Sequence, residues 1–331
     1  MLIDTLHALP KVELHRHLEG SVPIPLAIEW SKKYELPLPK TETDLMVTSP
    51  LPLNEVLDRL RYQQNLFQDI ESVETLTYEI LRHISEDNIK LIELRFSPGF
   101  MAEPKQLSLN AIMEATLSAK ERAEQDFDIA VGYILIASRD LGLKLCEETI
   151  NLAIRWKDEI IGVDLAGPEE TFPPELFEKP FQRAKEANLH ITIHSGEVSD
   201  PKHIITSIEK LGAERIGHGV QSIHNKDVLA LLKTRQVPLE LCPTSNWLTK
   251  AVGSFPQHPL KKFLNAGVLV TINSDDPSLF DTSLSQEYEI CIEHLGFSLE
   301  AIKKTILTAY EYSFIKKEQK IKMWDKYFKY L

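Results

Sequence analysis

The feature that most constrains this chain is an eightfold alternation. Short β-branched runs that end in polar residues take turns with stretches whose apolar residues recur every three or four positions. A parallel strand needs a crossover before the next, and a helix is the crossover that packs back onto the sheet, so the pattern calls for βα units. Strands are predicted over residues 12–17, 90–96, 129–136, 160–165, 190–194, 215–218, 238–242 and 268–273. Helical periods fill 109–125, 146–157, 175–187, 201–211 and 226–234, while 54–69 and 73–87 form a long insertion after the first strand. Eight units close most simply into a (β/α)8 barrel, with an open doubly wound sheet as the alternative. No linker or repeat marks a boundary, so residues 1–331 are expected to form one α/β domain with extra helices after strand one and at the C-terminus.

The formal net charge of -12 argues against a binder of nucleic acid, which needs clustered cations, and leaves a small neutral or cationic ligand. The one basic run, residues 316–329, spaces Ile321, Met323, Trp324 and Phe328 as a helix packing one apolar face. Three cysteines, Cys146, Cys242 and Cys291, without Cys-x-x-Cys spacing indicate neither a disulfide framework nor a thiolate zinc site. No signal segment or membrane span is legible, and the expected location is the cytoplasm.

Barrel enzymes carry their sites at the C-terminal ends of the strands, and the polar residues of this sequence gather there. On strand one, His15 and His17 are two apart and share a face. A His-x-His pair also occurs in ordinary cores. With His194 and Asp275 from strands five and eight, however, it makes three imidazoles and a carboxylate, a set suited to one Zn2+ with a position left for water. Four residues remain for handling protons: Glu197, His218, Asp276 and Glu19. Glu197 could instead cap a helix, and Asp276 before Pro277 could make a turn. The remaining histidines, His7, His83, His190, His203, His224, His258 and His294, are read as structural or surface groups, and Cys242 as a small buried apolar residue.

Four segments, Pro10-Lys-Val-Glu-Leu-His15-Arg-His17-Leu-Glu-Gly20, His194-Ser-Gly-Glu197, Glu214-Arg-Ile-Gly-His218-Gly219 and Asn273-Ser-Asp275-Asp276-Pro277, together resemble the adenosine deaminase family. The stretches at 94–101, 163–169, 242–246 and 258–268 extend the likeness over nearly the whole chain. The resemblance implies a zinc-dependent hydrolytic deaminase of a small 6-aminopurine, acting in purine metabolism. It assigns His15, His17, His194 and Asp275 to one zinc per chain, and His218 and Asp276 to orienting and activating water for attack on C6. It makes Glu197 the acid that protonates N1, and puts His17, Glu19, the Gly167 N–H (on N3) and Asp276 (also on N7) against substrate.

Two positions depart from the family pattern. Ser195 stands where alanine is usual, a small change. Glu19 stands where adenosine-specific members carry an Asp that meets the ribose 5′-hydroxyl. Glutamate there resembles relatives acting on free adenine or on 6-aminodeoxyfutalosine, whereas the segments around Gly167 and His218 look like the nucleoside branch. Adenosine is the expected substrate, aminodeoxyfutalosine the second and adenine the third. A two-metal amidohydrolase would carry a Lys at the end of strand four, where this chain reads Ile161-Gly-Val-Asp164-Leu-Ala-Gly167. A barrel kept only as a binding or structural protein would have lost a ligand or the acid.

Overall fold

Eight parallel strands, β1 (Lys11–His17), β2 (Ile89–Phe96), β3 (Ala130–Ser138), β4 (Gly162–Ala166), β5 (His190–Ser195), β6 (Arg215–His218), β7 (Leu239–Leu241) and β8 (Val270–Ile272), pair in chain order. The computed structural model describes residues 2–37, 42–102 and 105–331. The sheet curls until its ends meet: His17 N–H donates to Asp275 O (2.9 Å), Asp275 N–H to His15 O (3.1 Å), and Leu14 N–H to the Asn273 side-chain oxygen (3.0 Å). The architecture is therefore a (β/α)8 barrel, and the seam joins the two segments that carry His15, His17 and Asp275.

Every residue of β1 and β3 is buried, because one face of each strand meets the helices and the other meets the barrel interior. The outward apolar residues join helix residues in one core that draws on the chain from Leu6 to Phe328. Inside the barrel, below the histidines, lies a layer of charge. Arg95 bridges Asp164 and Glu240 at 2.8 Å each, and Arg215 bridges Glu93 (2.5 Å) and Glu240 (2.6 Å). All five are fully buried, and charges so placed are tolerable only because each meets an opposite one.

After β1 the helices Leu53–Gln64 and Ile70–Glu86 form the predicted insertion. The first covers the C-terminal mouth, with Val56 and Leu60 in a small separate core with Val47, Leu248, Leu279 and Phe280. Four expectations need correction. Asp69 does not end the first of these helices but opens the second, its side chain accepting from Ser72 N–H at 2.8 Å while Ser72 Oγ accepts from Asp69 N–H. The helix expected over 201–211 is shorter, His203–Glu209, and the one over 175–187 starts as a 3-10 turn (Pro174–Phe177). A helix not expected, Leu2–Ala8, precedes β1. In the C-terminal helix Lys317–Lys326 only Met323 enters the core, joined by Phe328 just beyond it; Ile321 and Trp324 face outward.

Candidate active site

The strand ends bring His15, His17, His194 and Asp275 together: one ligand atom from each lies within 4.8 Å of all the others. His15 Nε2 and His17 Nε2 are each 3.2 Å from Asp275 Oδ1, and His17 Nε2 is 3.3 Å from His194 Nε2. The protons on these rings follow from what stands behind them. Although burial opposes ionisation, the Arg95 and Arg215 guanidiniums hold the Glu240 carboxyl well below its usual range, and His194 and Arg95 do the same for Asp164. An ionised carboxylate only accepts, so His15 Nδ1, 2.7 Å from Glu240, and His194 Nδ1, 2.9 Å from Asp164, must carry the ring protons. Their Nε2 atoms are then bare lone pairs aimed at one point, and His15 Nε2 is buried with no hydrogen-bond partner. Lone pairs converging on a carboxylate oxygen repel unless a cation sits among them, and the donor set fits a divalent metal ion of borderline softness. His17 shows the same demand. Burial works against its charge, yet Asp276 and Asp275 pull its pKa up to about 9.

Around this centre stand the remaining groups. Glu197 is buried, with Oε1 taking a hydrogen bond from Thr249 Oγ1 (2.8 Å) and Oε2 3.7 Å from His218 Nε2. Burial first, then the carboxylates of Asp275 and Glu169, push its pKa up to about 8. Burial, joined by the carboxylates of Asp275, Glu19 and Glu197 and opposed by His17, raises Asp276 to about 8, and its Oδ1 is without a partner. Gly20 makes room for it, since a Cβ there would lie 1.8 Å from Asp276 Oδ1. His218 (φ 57°) and Asp275 (φ 64°) both occupy the left-handed region that glycine favours, a strain held where two side chains must face the centre.

Glu19 turns toward the end of β2, where its Oε1 accepts Ser97 N–H at 2.8 Å; burial raises its carboxyl to about 7. The void over the converging imidazoles and Asp275 has two lobes of about 60 Å3 each that share His17, Leu57, Leu60, Ala166 and Gly167. One is lined by Glu197, His218, Asp275 and Asp276. The other is lined by Glu19, Ser97, Ser138, Asp140, Arg61 and Gln64. Gly167 sits at the waist with φ 103°, and a side chain there would press on Asp140 and Arg139. A far larger cleft, about 1010 Å3, opens elsewhere between the helices Ile24–Lys33 and Ile70–Glu86 and holds none of the converging ligand atoms.

Several supporting groups escaped the sequence reading. Glu169 accepts the N–H of Gly196 (2.6 Å) and Glu197 (2.9 Å) and the hydroxyl of Ser199 (2.8 Å), fixing the loop that carries Glu197. Glu13 takes the Ser274 N–H (2.8 Å) and hydroxyl (2.5 Å), anchoring the turn that carries Asp275 and Asp276. For Glu240 a signal was present, a lone charged residue between Leu239 and Leu241; Glu13 shares its strand with Lys11, His15, Arg16 and His17 and does not stand out. Of the seven histidines read as structural, His258 is buried and reaches the site through Asn246, whereas His190 lies at the opposite barrel end, stacked on Phe314. Cys242 is fully buried, and burial pushes its thiol well above the usual range.

The adenosine deaminase family profile matches residues 10–330. The chain belongs to that family. An adenosine deaminase of Klebsiella pneumoniae (strain 342) is 33% identical over 325 residues, covering 96% of this chain and 97% of the relative. Among solved structures, an adenine deaminase from Arthrobacter aurescens superposes with a TM-score of 0.89 at 26% identity, over 96% of this chain and 98% of the other. The N6-methyl-AMP deaminase of Arabidopsis thaliana does so with 0.84 at 28% identity, over 97% and 96%. Like the family it belongs to, the chain is a hydrolytic deaminase on a (β/α)8 barrel.

Proposed function

We propose that the protein hydrolyses adenosine to inosine and ammonia, with one zinc per chain held by His15, His17, His194 and Asp275. When bound, zinc supplies a Lewis acid that makes water nucleophilic at neutral pH. Glu197, kept protonated up to about pH 8, gives its proton to ring N1; Thr249 holds Oε1, so Oε2 is the oxygen free to carry it. Protonation localises the ring electrons and leaves C6 electrophilic. His218 and Asp276 orient the attacking oxygen, the Gly167 N–H holds N3, and Asp276 also meets N7. Leu57 and Leu60 at the waist keep bulk water from the base. Residues 1–331 act as one unit in this reading. Three free, buried cysteines suit a reducing cytoplasm, and among the described residues no helix is long and apolar enough to cross a membrane.

The observation that carries the substrate is the second lobe. Free adenine held on the metal side would leave the second lobe, lined by Glu19, Ser97 and Ser138, without an occupant, whereas a sugar at N9 would reach it with its hydroxyls. Because Glu19 is drawn back onto Ser97 N–H, its extra methylene does not project across the lobe, and the carboxyl can still meet a ribose hydroxyl. Such a bond contributes about 1.5–3 kcal/mol when the carboxyl is ionised, enough for tens-fold preference over the bare base. The ultraviolet change on deamination, followed for adenosine, 6-aminodeoxyfutalosine and adenine, tests this. The expected order of kcat/KM is as written, and a clear lead for adenine overturns the nucleoside reading.

A further inference from the structure

His218 enters the site on Nε2, and its other ring nitrogen ends a chain of hydrogen bonds that leads away from the site. Nδ1 lies 3.0 Å from Asn246 Nδ2, Asn246 Oδ1 lies 3.0 Å from His258 Nε2, and His258 Nδ1 faces the Leu260 backbone N–H at 3.1 Å. All three side chains are buried, so each donor has to meet an acceptor within the protein.

The direction of the chain is set by the backbone. Leu260 N–H can only donate, so His258 Nδ1 accepts, and the neutral ring carries its proton on Nε2. Burial, with His218 nearby, keeps that ring neutral. Its Nε2–H points at Asn246, where only the amide oxygen can take it. The same oxygen faces a second donor, the Cys242 N–H at 3.4 Å, so the amide is oriented from two sides. The amide NH2 is left to meet His218 Nδ1, which must be bare. Neutral His218 therefore holds its proton on Nε2, 3.7 Å from Glu197 Oε2 and 3.8 Å from Asp275 Oδ2. The opposite tautomer would set Nδ1–H against the amide NH2, two donors at 3.0 Å.

We propose that Asn246 and His258 are positioning residues that fix His218 as a hydrogen-bond donor toward the reacting centre, so that His218 holds the attacking oxygen and does not deprotonate it. The inference rests on the deaminase reading for what the oxygen attacks, but the proton's place on the ring stands apart from any activity.

Nitrogen-15 NMR of the zinc-loaded, full-length protein labelled at histidine tests it, with the His218 signals identified by their loss in His218→Gln. Wild type is expected to show His218 protonated at Nε2 and bare at Nδ1. Asn246→Asp puts an acceptor where the NH2 stood at nearly equal volume, and should draw the proton to Nδ1. In that variant kcat for adenosine should fall about 100-fold or more while zinc content and KM stay near wild type. His258→Gln keeps a donor for Asn246 and should retain roughly tenfold more of kcat than His258→Leu. A wild-type spectrum with the proton on Nδ1 overturns the proposal, and so does an Asn246→Asp enzyme with shifted tautomer and undiminished kcat. Should the variants fail to fold, the wild-type spectrum alone gives the answer. Failure of the adenosine reading looks different: the tautomer as stated, and no ammonia from adenosine.

Discussion

At the scale of single residues, the proposed chemistry turns on carboxyls kept from their ordinary ionisation. Glu197 must hold a proton at neutral pH to give it away, and burial with Asp275 and Glu169 close by raises it to about 8. A raised carboxyl is protonated below its pKa and lost as an acid above it. The profile of kcat/KM against pH should therefore fall on the alkaline side with a midpoint near 8; a profile flat to pH 10 would remove Glu197 from the role. Glu197→Gln should keep fold and zinc yet lose most turnover, because the amide fills the same space without a proton to give, and near-normal turnover would contradict this. Behind the ligands, Glu240→Gln should weaken zinc binding about 10- to 100-fold, since a neutral partner holds the His15 ring less firmly and makes it less basic. Competition with a chelator on folded protein measures it. The candidate site residues were legible as a group because each stands at a strand's C-terminal end or in the loop just beyond it, where the barrel opens at its mouth. Glu240 and Asp164 were not legible in their roles. Their partners come from strands 225 and 30 residues away, and only the radius of the closed barrel says which charges meet.

At the scale of elements, the period of apolar residues located strands and helices to within a few positions, and the misplacements have local causes. By its apolar period Asp69 reads as part of the helix before it, because apolar Leu66 and Phe67 prolong the pattern. Asp69 and Ser72 form a reciprocal cap that ends one element by starting the next. Asp69→Ala should lower stability by about 1 kcal/mol in urea unfolding at neutral pH. The backbone and side-chain hydrogen bonds of the cap lower the Asp69 pKa against the opposing effect of burial, so its contribution is present above the unfolded-state value. The difference between variant and wild type should accordingly shrink as pH falls through the folded-state value. An unchanged midpoint at neutral pH would show that the cap is dispensable. The exposed Ile321 and Trp324 teach a related lesson. Helical spacing says that apolar residues share a face, whereas only the barrel wall says how much of that face it covers.

At the scale of the whole molecule, the eightfold alternation made the barrel the simplest reading, because parallel strands linked by helices bury both faces either in a closed barrel or in an open doubly wound sheet. The closure was less legible: the short β8 meets β1 through Asn273 and Asp275, residues that read as site chemistry and serve the seam as well. Site and fold are coupled through this seam, so loss of the cation should be felt by both. Bare Nε2 atoms and a carboxylate oxygen would face one another across the closing edge. Chelation should thus lower Tm by several degrees, reversibly on adding zinc.

Titration of metal-free protein with zinc, with ammonia release from adenosine and bound metal measured on the same samples, tests single-zinc deamination of adenosine. Activity is predicted to be absent at the start, to rise in proportion to bound zinc and to level off at one ion per chain. Full turnover in metal-free protein, or a plateau reached only with two tightly bound ions, would contradict it.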